Sequence, residues 1–198
     1  MEKGIKMEIK INISDGKSGD WEVSTFEVSE KDANFHNLRA SFHPGARMIK
    51  PGRYKKLTRN GSIVMSNTQS EINDLLHFIH IAKNYGGNIL INGLGLGVAL
   101  TAILKYKNII NITVIEKSAN VIKLVAPSFA NDKRINIIHA NAFEWKAPKG
   151  IRYTVVWHDI WKDICSDNLP EMTKLHRKYG RRCDWQGSWC KELHKQYR

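Results

Sequence analysis

The sequence predicts an α/β protein built on a parallel sheet, preceded by a small β-rich lobe. Three observations carry this. Short apolar runs recur through the second half, at Ile89-Leu90-Ile91, Ile109 to Ile115, Ile135 to His139 and Tyr153 to Trp157; each is bounded by turn residues, as buried strands are. Helical patterns fall between these runs, which implies crossover connections and parallel pairing. Residues 1–67 instead alternate apolar and polar positions around Asp-Gly and Asn-Gly turns, the signature of hairpins.

Taken in order, Met7 to Ile13 (MEIKINI) alternates as an edge strand does, and Trp21 to Val28 (WEVSTFEV) alternates again after the turn residues Asp15-Gly16 and Ser18-Gly19. The two runs are expected to form a hairpin. Ser29, with Asp32 three residues on, is placed to cap a short helix reaching Phe42. His43 to Asn60 carries Arg47, Lys50, Arg53, Lys55, Lys56 and Arg59 and no acid, and Pro44-Gly45 and Pro51-Gly52 break it into loop. Tyr54 to Met65, around Asn60-Gly61, reads as a second hairpin, and the lobe ends near Asn67.

Thr68-Gln69-Ser70-Glu71 has the form of a capping box and opens a helix predicted over Glu71 to Asn84, with Ile72, Leu75, Leu76, Phe78, Ile79 and Ile81 on and around one face. Gly86-Gly87 stops it. The second part, 68–198, then alternates strand and helix. Ser118 is placed to cap a helix over Ala119 to Val125 that Pro127 closes, and Asp167 or Asn168 to cap one over Leu169 to Tyr179. After the Tyr153 strand there is room for one more helix and one strand around Cys183 to Trp189, so the sheet is expected to be shortened at its C-terminal end.

The 198 residues, 42% apolar and 25% charged, fit a globular protein with a proper core. The net charge of +12 suggests a polyanionic partner or an acidic substrate. Three cysteines without a CxxC pair argue against a disulfide framework and a zinc site. No apolar run approaches a membrane span and the start has no signal-peptide h-region, so a cytoplasmic protein is expected. The tail, from Leu175 to Arg198, interleaves cations with Tyr179, Trp185, Trp189 and Tyr197. It either grips nucleic acid or uses Trp185 and Trp189 to close the sheet edge.

The most informative stretch is Gly93-Leu94-Gly95-Leu96-Gly97, between a buried strand and a helix. Glycines there allow positive φ and close approach to the backbone, and the following helix points free N–H groups at the turn. The spacing is G-x-G-x-G, not the G-x-G-x-x-G dinucleotide fingerprint. It resembles motif I of the class I S-adenosylmethionine-dependent methyltransferases. Three later segments resemble that superfamily's motifs in order and spacing: TVIEKSANVIKLV, IIHANAFEW and YTVVWHDIW. Together they cover roughly Gly86 to Trp161.

The resemblance implies a Rossmann-like fold with S-adenosylmethionine as cofactor. Gly93, Leu94, Gly95 and Gly97 would take its methionine part, and Glu116 with Lys117 its ribose. Asn141 would offer its side-chain oxygen to the adenine amino group, and Ala142 its backbone N–H to a ring nitrogen. Asp159, after the fourth strand, would orient or deprotonate the methyl acceptor, a small molecule or a nucleic acid. Among subfamilies the chain is most similar to small spermidine synthase-like members, which implies a first alternative, aminopropyl transfer to a polyamine. The +12 charge speaks against a cationic acceptor, and Asp159 and Asp163 are one residue too far apart for that family's D-x-x-D. Asp159-Ile160-Trp161-Lys162-Asp163 also resembles the D-H-W-K-D segment of catechol O-methyltransferases, where the aspartate binds magnesium; one carboxylate is too few for that ion, and no metal is assigned. The Asn- or Asp-Pro-Pro-Tyr of DNA amino-methylating enzymes is missing. A second alternative is a non-catalytic, basic nucleic-acid-binding protein on a nucleotide fold. Pairing of two copies along the short sheet edge is left open.

Overall fold

A computed structural model of the chain describes residues 9–42 and 46–196. Two sheets organise it. The front sheet is antiparallel, in the order β1 (Gly16–Ser18), β2 (Trp21–Val28), β3 (Gly52–Arg59) and β4 (Ser62–Ser66). Of the strand expected over Met7 to Ile13, the described residues, 9–13, are not in a strand. Residues 7 and 8 lie outside the described residues, and 9–15 run irregularly with Ile9 and Ile13 buried. Alternation signals one buried face, and an irregular segment can bury that face as well as a strand. The hairpin partner of β2 is instead the short β1, joined through Gly19 (φ 57°). The second hairpin forms as read, with Asn60 (φ 48°) and Gly61 (φ 78°) both left-handed at its turn. Between the hairpins, α1 (Glu30–Ala40) is capped by Ser29, whose Oγ accepts from the Asp32 N–H at 3.1 Å. Of the basic stretch around the Pro-Gly breaks, residues 43–45 lie outside the described residues.

The predicted helix from Glu71 to Asn84 is two helices, α2 (Gln69–Asp74) and α3 (Leu76–Tyr85), meeting at Leu75. The capping box does not close. Thr68 makes no side-chain cap bond, and Glu71 instead accepts from Ser66 N at 2.9 Å and Ser66 Oγ at 2.8 Å. Ser66 ends β4 and presents two donors together, which outcompete the single N–H of a cap. Gly86 (φ 60°) and Gly87 (φ 71°) then turn the chain into the second sheet.

That sheet holds β5 (Gly87–Asn92), β6 (Ile109–Glu116), β7 (Ile135–His139), β8 (Tyr153–His158) and β9 (Cys183–Ser188), all parallel, in the order β7-β6-β5-β8-β9. Three of the four crossovers carry the helices α4 (Val98–Leu104), α5 (Ala119–Val125) and α6 (Leu169–Tyr179), whereas β7 and β8 are joined by turns without the helix that strand–helix alternation predicts; α7 (Lys191–Gln196) follows β9. Ser118 caps α5 as predicted, accepting from Val121 N. Asn168 gives α6 no side-chain cap, because a 3₁₀ turn over Ser166–Asn168 leads into it instead. The architecture is a shortened Rossmann-like α/β fold. Both faces are covered: Ile89, Ile91, Val155 and Trp157 point to one core layer, Leu90 and Val156 to the other. Each such aliphatic side chain contributes about 1.5–3 kcal/mol on full burial. Val23 and Leu57 of the front sheet join the first layer, so that sheet packs over the same core.

Candidate active-site cleft

Strand order reverses between β5 and β8, and open parallel sheets bind ligands at such a switch point, beyond the carboxyl ends of the strands. Gly93 follows β5 there and Asp159 follows β8. Their backbones touch: Asp159 N donates to Asn92 O at 2.8 Å, and a Cβ on Gly93 (φ 101°) would sit 2.0 Å from Asp159 O. Replacing Gly93 by Ala is therefore expected to cost stability by about 3 kcal/mol or more, through both strain and clash. Gly150→Ala is the control, since Gly150 has a similar positive φ (80°) but open space around it; it is expected to cost about 1 kcal/mol. Urea midpoints of the two variants measure the difference.

The glycine turn differs from its expected use in one respect. A Cβ on Gly95 (φ 49°) would lie 2.3 Å from Met65 Sδ, and one on Gly97 (φ 65°) 2.6 Å from the Phe129 ring. Leu96 N donates to Met65 Sδ at 3.1 Å. The close approach these glycines permit is made by the chain's own atoms, with the β4 hairpin pressing Met65 onto the turn.

Glu116 ends β6 and is tied to the turn. Its Oε2 accepts from Leu94 N at 2.9 Å and its Oε1 from Ser118 N at 2.8 Å. Asn141 follows β7, but its side chain is committed locally. Oδ1 accepts from Phe143 N at 3.0 Å and Nδ2 donates to Glu144 Oε1 at 3.1 Å. The oxygen expected to meet a ligand amino group is thus spent on an Asx-type turn, the local bond to which Asn is prone. Lys178 of α6 clamps this loop, donating to the carbonyls of Ala142 (2.8 Å) and Phe143 (3.0 Å). Burial lowers its pKa, helped by the neighbouring Lys174. The sequence reading missed Lys178, which sits 37 positions from Asn141 with no motif to link them.

These elements enclose a cleft of about 1190 Å³. Gly93, Gly95, Glu116, Lys117, Asn141, Ala142 and Asp159 line it; Leu94 turns its side chain into the core and Gly97 caps α4. The opposite wall comes from the front lobe and α2, with Trp21, Arg59, Met65 and Glu71, and from Trp161 and Lys162 after β8. No helix starts directly after Asp159, so it is not a cap.

The cleft's charge runs against that of the chain. Asp20, Glu71, Glu116, Asp159, Asp163 and Glu171 line it, against Arg47, Arg59, Lys117 and Lys162. Two of those cations are already paired, Arg47 with Asp74 at 2.7 Å and Arg59 with Asp20 at 2.6 Å. Asp159 feels this most. Removal from water raises its pKa to about 7, with Glu71 and Asp74 adding to the rise and the Trp157 indole N–H offsetting part of it. Burial also raises Glu71 and Asp74.

Beneath the cleft lies a buried polar group. Asn92 Nδ2 donates to His158 Nδ1 at 2.8 Å, and His158 Nε2 faces Gln186 Oε1 at 3.4 Å. Burial lowers His158 to about 3, with His176 beside it adding to the effect. It is a packed strand-end histidine, neutral and out of reach of the cleft. In the tail, Trp185 stacks on Trp157 (6.4 Å) and meets His77 edge-on (5.5 Å). Trp189 packs on the core under Arg47. Of the two readings of the tail, its tryptophans close the sheet edge; Tyr197 lies outside the described residues.

No protein-family model and no curated protein sequence matches the chain. Solved structures do. Its structural neighbours are methyltransferases. They include the 23S rRNA methyltransferase ErmE (11% identity, TM-score 0.45, covering 57% of this chain and 44% of that one). The N-methyltransferase NodS from Bradyrhizobium japonicum overlaps at 9% identity and TM-score 0.46 (57% and 61%). The CcbJ methyltransferase from Streptomyces caelestis does so at 14% identity and TM-score 0.44 (54% and 43%). The overlap spans less than two thirds of each neighbour's length and says nothing of substrate. Among the described residues, no group of side chains has the make-up of a metal site, and no helix is long and apolar enough to cross a membrane.

Proposed function

We propose that the protein is an S-adenosylmethionine-dependent methyltransferase, with its N-terminal lobe (1–67) roofing a cofactor domain (68–198). The observation that supports this most is the 2.9 Å bond between Glu116 and the backbone of the glycine turn. It brings the two groups with the most to offer an adenosine onto one cleft wall. Each Glu116 oxygen holds one backbone donor and keeps further lone pairs for a pair of ribose hydroxyls. The backbone at Gly93 and Gly95 would carry the amino-acid end, the Ala142 N–H and Lys117 would flank the base and ribose, and Asn141 would act by shaping its loop. Bound there, the cofactor supplies a methyl group made electrophilic by the sulfonium. The chain's own part is to align an acceptor and exclude water. Asp159, with a pKa near 7, is poised to take a proton from the acceptor at neutral pH. Titration calorimetry with S-adenosylmethionine and its demethylated product tests the reading; absence of heat for both ends it.

One observation favours a second reading. The +12 charge spoke against a cationic acceptor, but the cleft itself is rich in carboxylates around Asp159 and Glu71. A protonated amine would relieve their mutual repulsion. Aminopropyl transfer from decarboxylated S-adenosylmethionine therefore stays in contention. Incubation with putrescine and that cofactor, read by mass spectrometry for the aminopropylated product, separates the two.

A further inference from the structure

The glycine turn is covered by the chain itself. The end of the Met65 side chain lies on Gly95: a Cβ there would collide with Sδ and find Cε at 3.4 Å and Cγ at 3.9 Å. Leu96 N donates to the same sulfur at 3.1 Å. Three neighbouring amides are bonded to oxygens: Gly93 N to Ile115 O (2.8 Å), Leu94 N to Glu116 Oε2 (2.9 Å) and Gly97 N to Leu94 O (2.8 Å). A thioether is a weak acceptor beside any of these. Leu96 N is therefore the donor of the turn that a ligand takes over most easily, and a carboxylate oxygen would displace the sulfur outright.

The backbone around Met65 is fixed. Leu57, its partner across the β3–β4 ladder, is buried in the core, and Ser66, the next residue, is buried and bonded to Glu71 through both its N–H and its hydroxyl. The side chain is not fixed in the same way. It is half-buried and lines the cleft of about 1190 Å³. Methionine is unbranched, with three rotatable bonds, so its end can leave the turn while β4 stays in place.

We infer that Met65 is a gate on the glycine turn. Its thioether covers the Gly95–Leu96 backbone in the free protein and swings into the cleft when a ligand takes that position. The inference rests on the cofactor-binding reading above and adds a regulation to it. The chain competes with its own ligand, so the apparent affinity is reduced to the fraction of molecules with the gate open.

The test combines titration calorimetry and methyl NMR of the full chain, with the demethylated product of S-adenosylmethionine as the probe. With the gate closed in about four molecules of five or more, Met65→Ala is expected to bind about fivefold tighter or more. If Met65 served only packing, its loss would weaken binding, the opposite sign. Ile63→Ala, on the same strand at an exposed position, should change affinity by less than about twofold. In protein labelled at the methionine methyls, the Met65 signal is assigned by its absence from the variant. It should move toward that of the exposed Met48 as the probe saturates the protein, while that of the buried Met172 stays in place. Thermal melts establish that the variants are folded. Should Met65→Ala unfold, Met65→Leu supplies both the assignment and a variant without the sulfur. Tighter binding by the variant together with a displaced Met65 signal upholds the gate. Binding with an unmoved signal, or with an affinity that the variant leaves unchanged or weakens, overturns the gate and leaves the cofactor reading standing. Absence of binding by both the parent and the folded variant ends that reading, and the gate falls with it.

Discussion

Replacing Asp159 with Asn is expected to lower kcat by about 10²–10⁴-fold while leaving cofactor affinity within a few-fold of the parent. The group sits at the switch point, where an acceptor would approach, and its pKa near 7 suits a proton acceptor. The parent's rate should rise with pH to a plateau above about 7, and the residual rate of the variant should lack that step. A pH profile of kcat reads both. If the variant keeps the parent's rate and profile, Asp159 has no part in proton transfer.

The same substitution should stabilise the protein at high pH. A carboxyl whose folded pKa is raised contributes most when protonated, and that contribution is lost as pH rises through about 7. Asn carries no charge to desolvate, so Asp159→Asn is expected to gain about 1–2 kcal/mol at pH 8. His158 has the opposite sign. Its folded pKa, about 3, lies below the 6.5 of the unfolded chain. Its contribution is full above pH 6.5 and falls as pH drops toward 3, by about 2 kcal/mol at pH 5. In the parent the two effects oppose each other between pH 7 and 5, flattening the stability curve. In the variant the Asp159 contribution is gone, and His176, which burial lowers to about 4, adds to His158 against the smaller opposing rise of Glu71 and Asp74, so stability should fall more steeply on acidification than in the parent. Urea midpoints at pH 8, 6.5 and 5 give the comparison.

Glu116→Ala is expected to abolish measurable S-adenosylmethionine binding, a loss of at least about 100-fold, since charge-assisted bonds to two hydroxyls go together. It should also destabilise the fold by about 2–4 kcal/mol, because Leu94 N and Ser118 N each lose a carboxylate acceptor. Glu116→Gln keeps one oxygen acceptor and should fall between the two. Calorimetry on folded Glu116→Gln keeps the question open to measurement even if the alanine variant unfolds. Undiminished affinity in both variants would place any cofactor elsewhere.

The residues that were legible and those that were not divide along a physical line. Four strands of the parallel sheet and the helix over Ala119 to Val125 could be read because apolar runs and caps are local signals; β9, without an apolar run, was placed only by the length left after β8, and the helix over Leu169 to Tyr179 formed without its expected cap. Local signals failed where a competitor lay close by in space. Glu71 left its capping box for Ser66, and Asn141 turned its oxygen to Phe143 N. Met65 and Lys178 were invisible because they reach the site from distant elements. The net charge misled about the cleft, since an overall +12 does not say where the carboxylates gather.

By itself, the sequence determined that strands alternate with helices, where each begins and ends to within a few residues, and that four strand ends carry the glycine turn, Glu116, Asn141 and Asp159. Those properties depend on neighbours along the chain. Tertiary structure alone decided that these ends share one wall, that the front hairpin lays Met65 on the turn, and that carboxylates gather in one cleft of a chain whose net charge is +12. Such outcomes depend on through-space distance and on the removal of water, and neither is encoded in any single stretch.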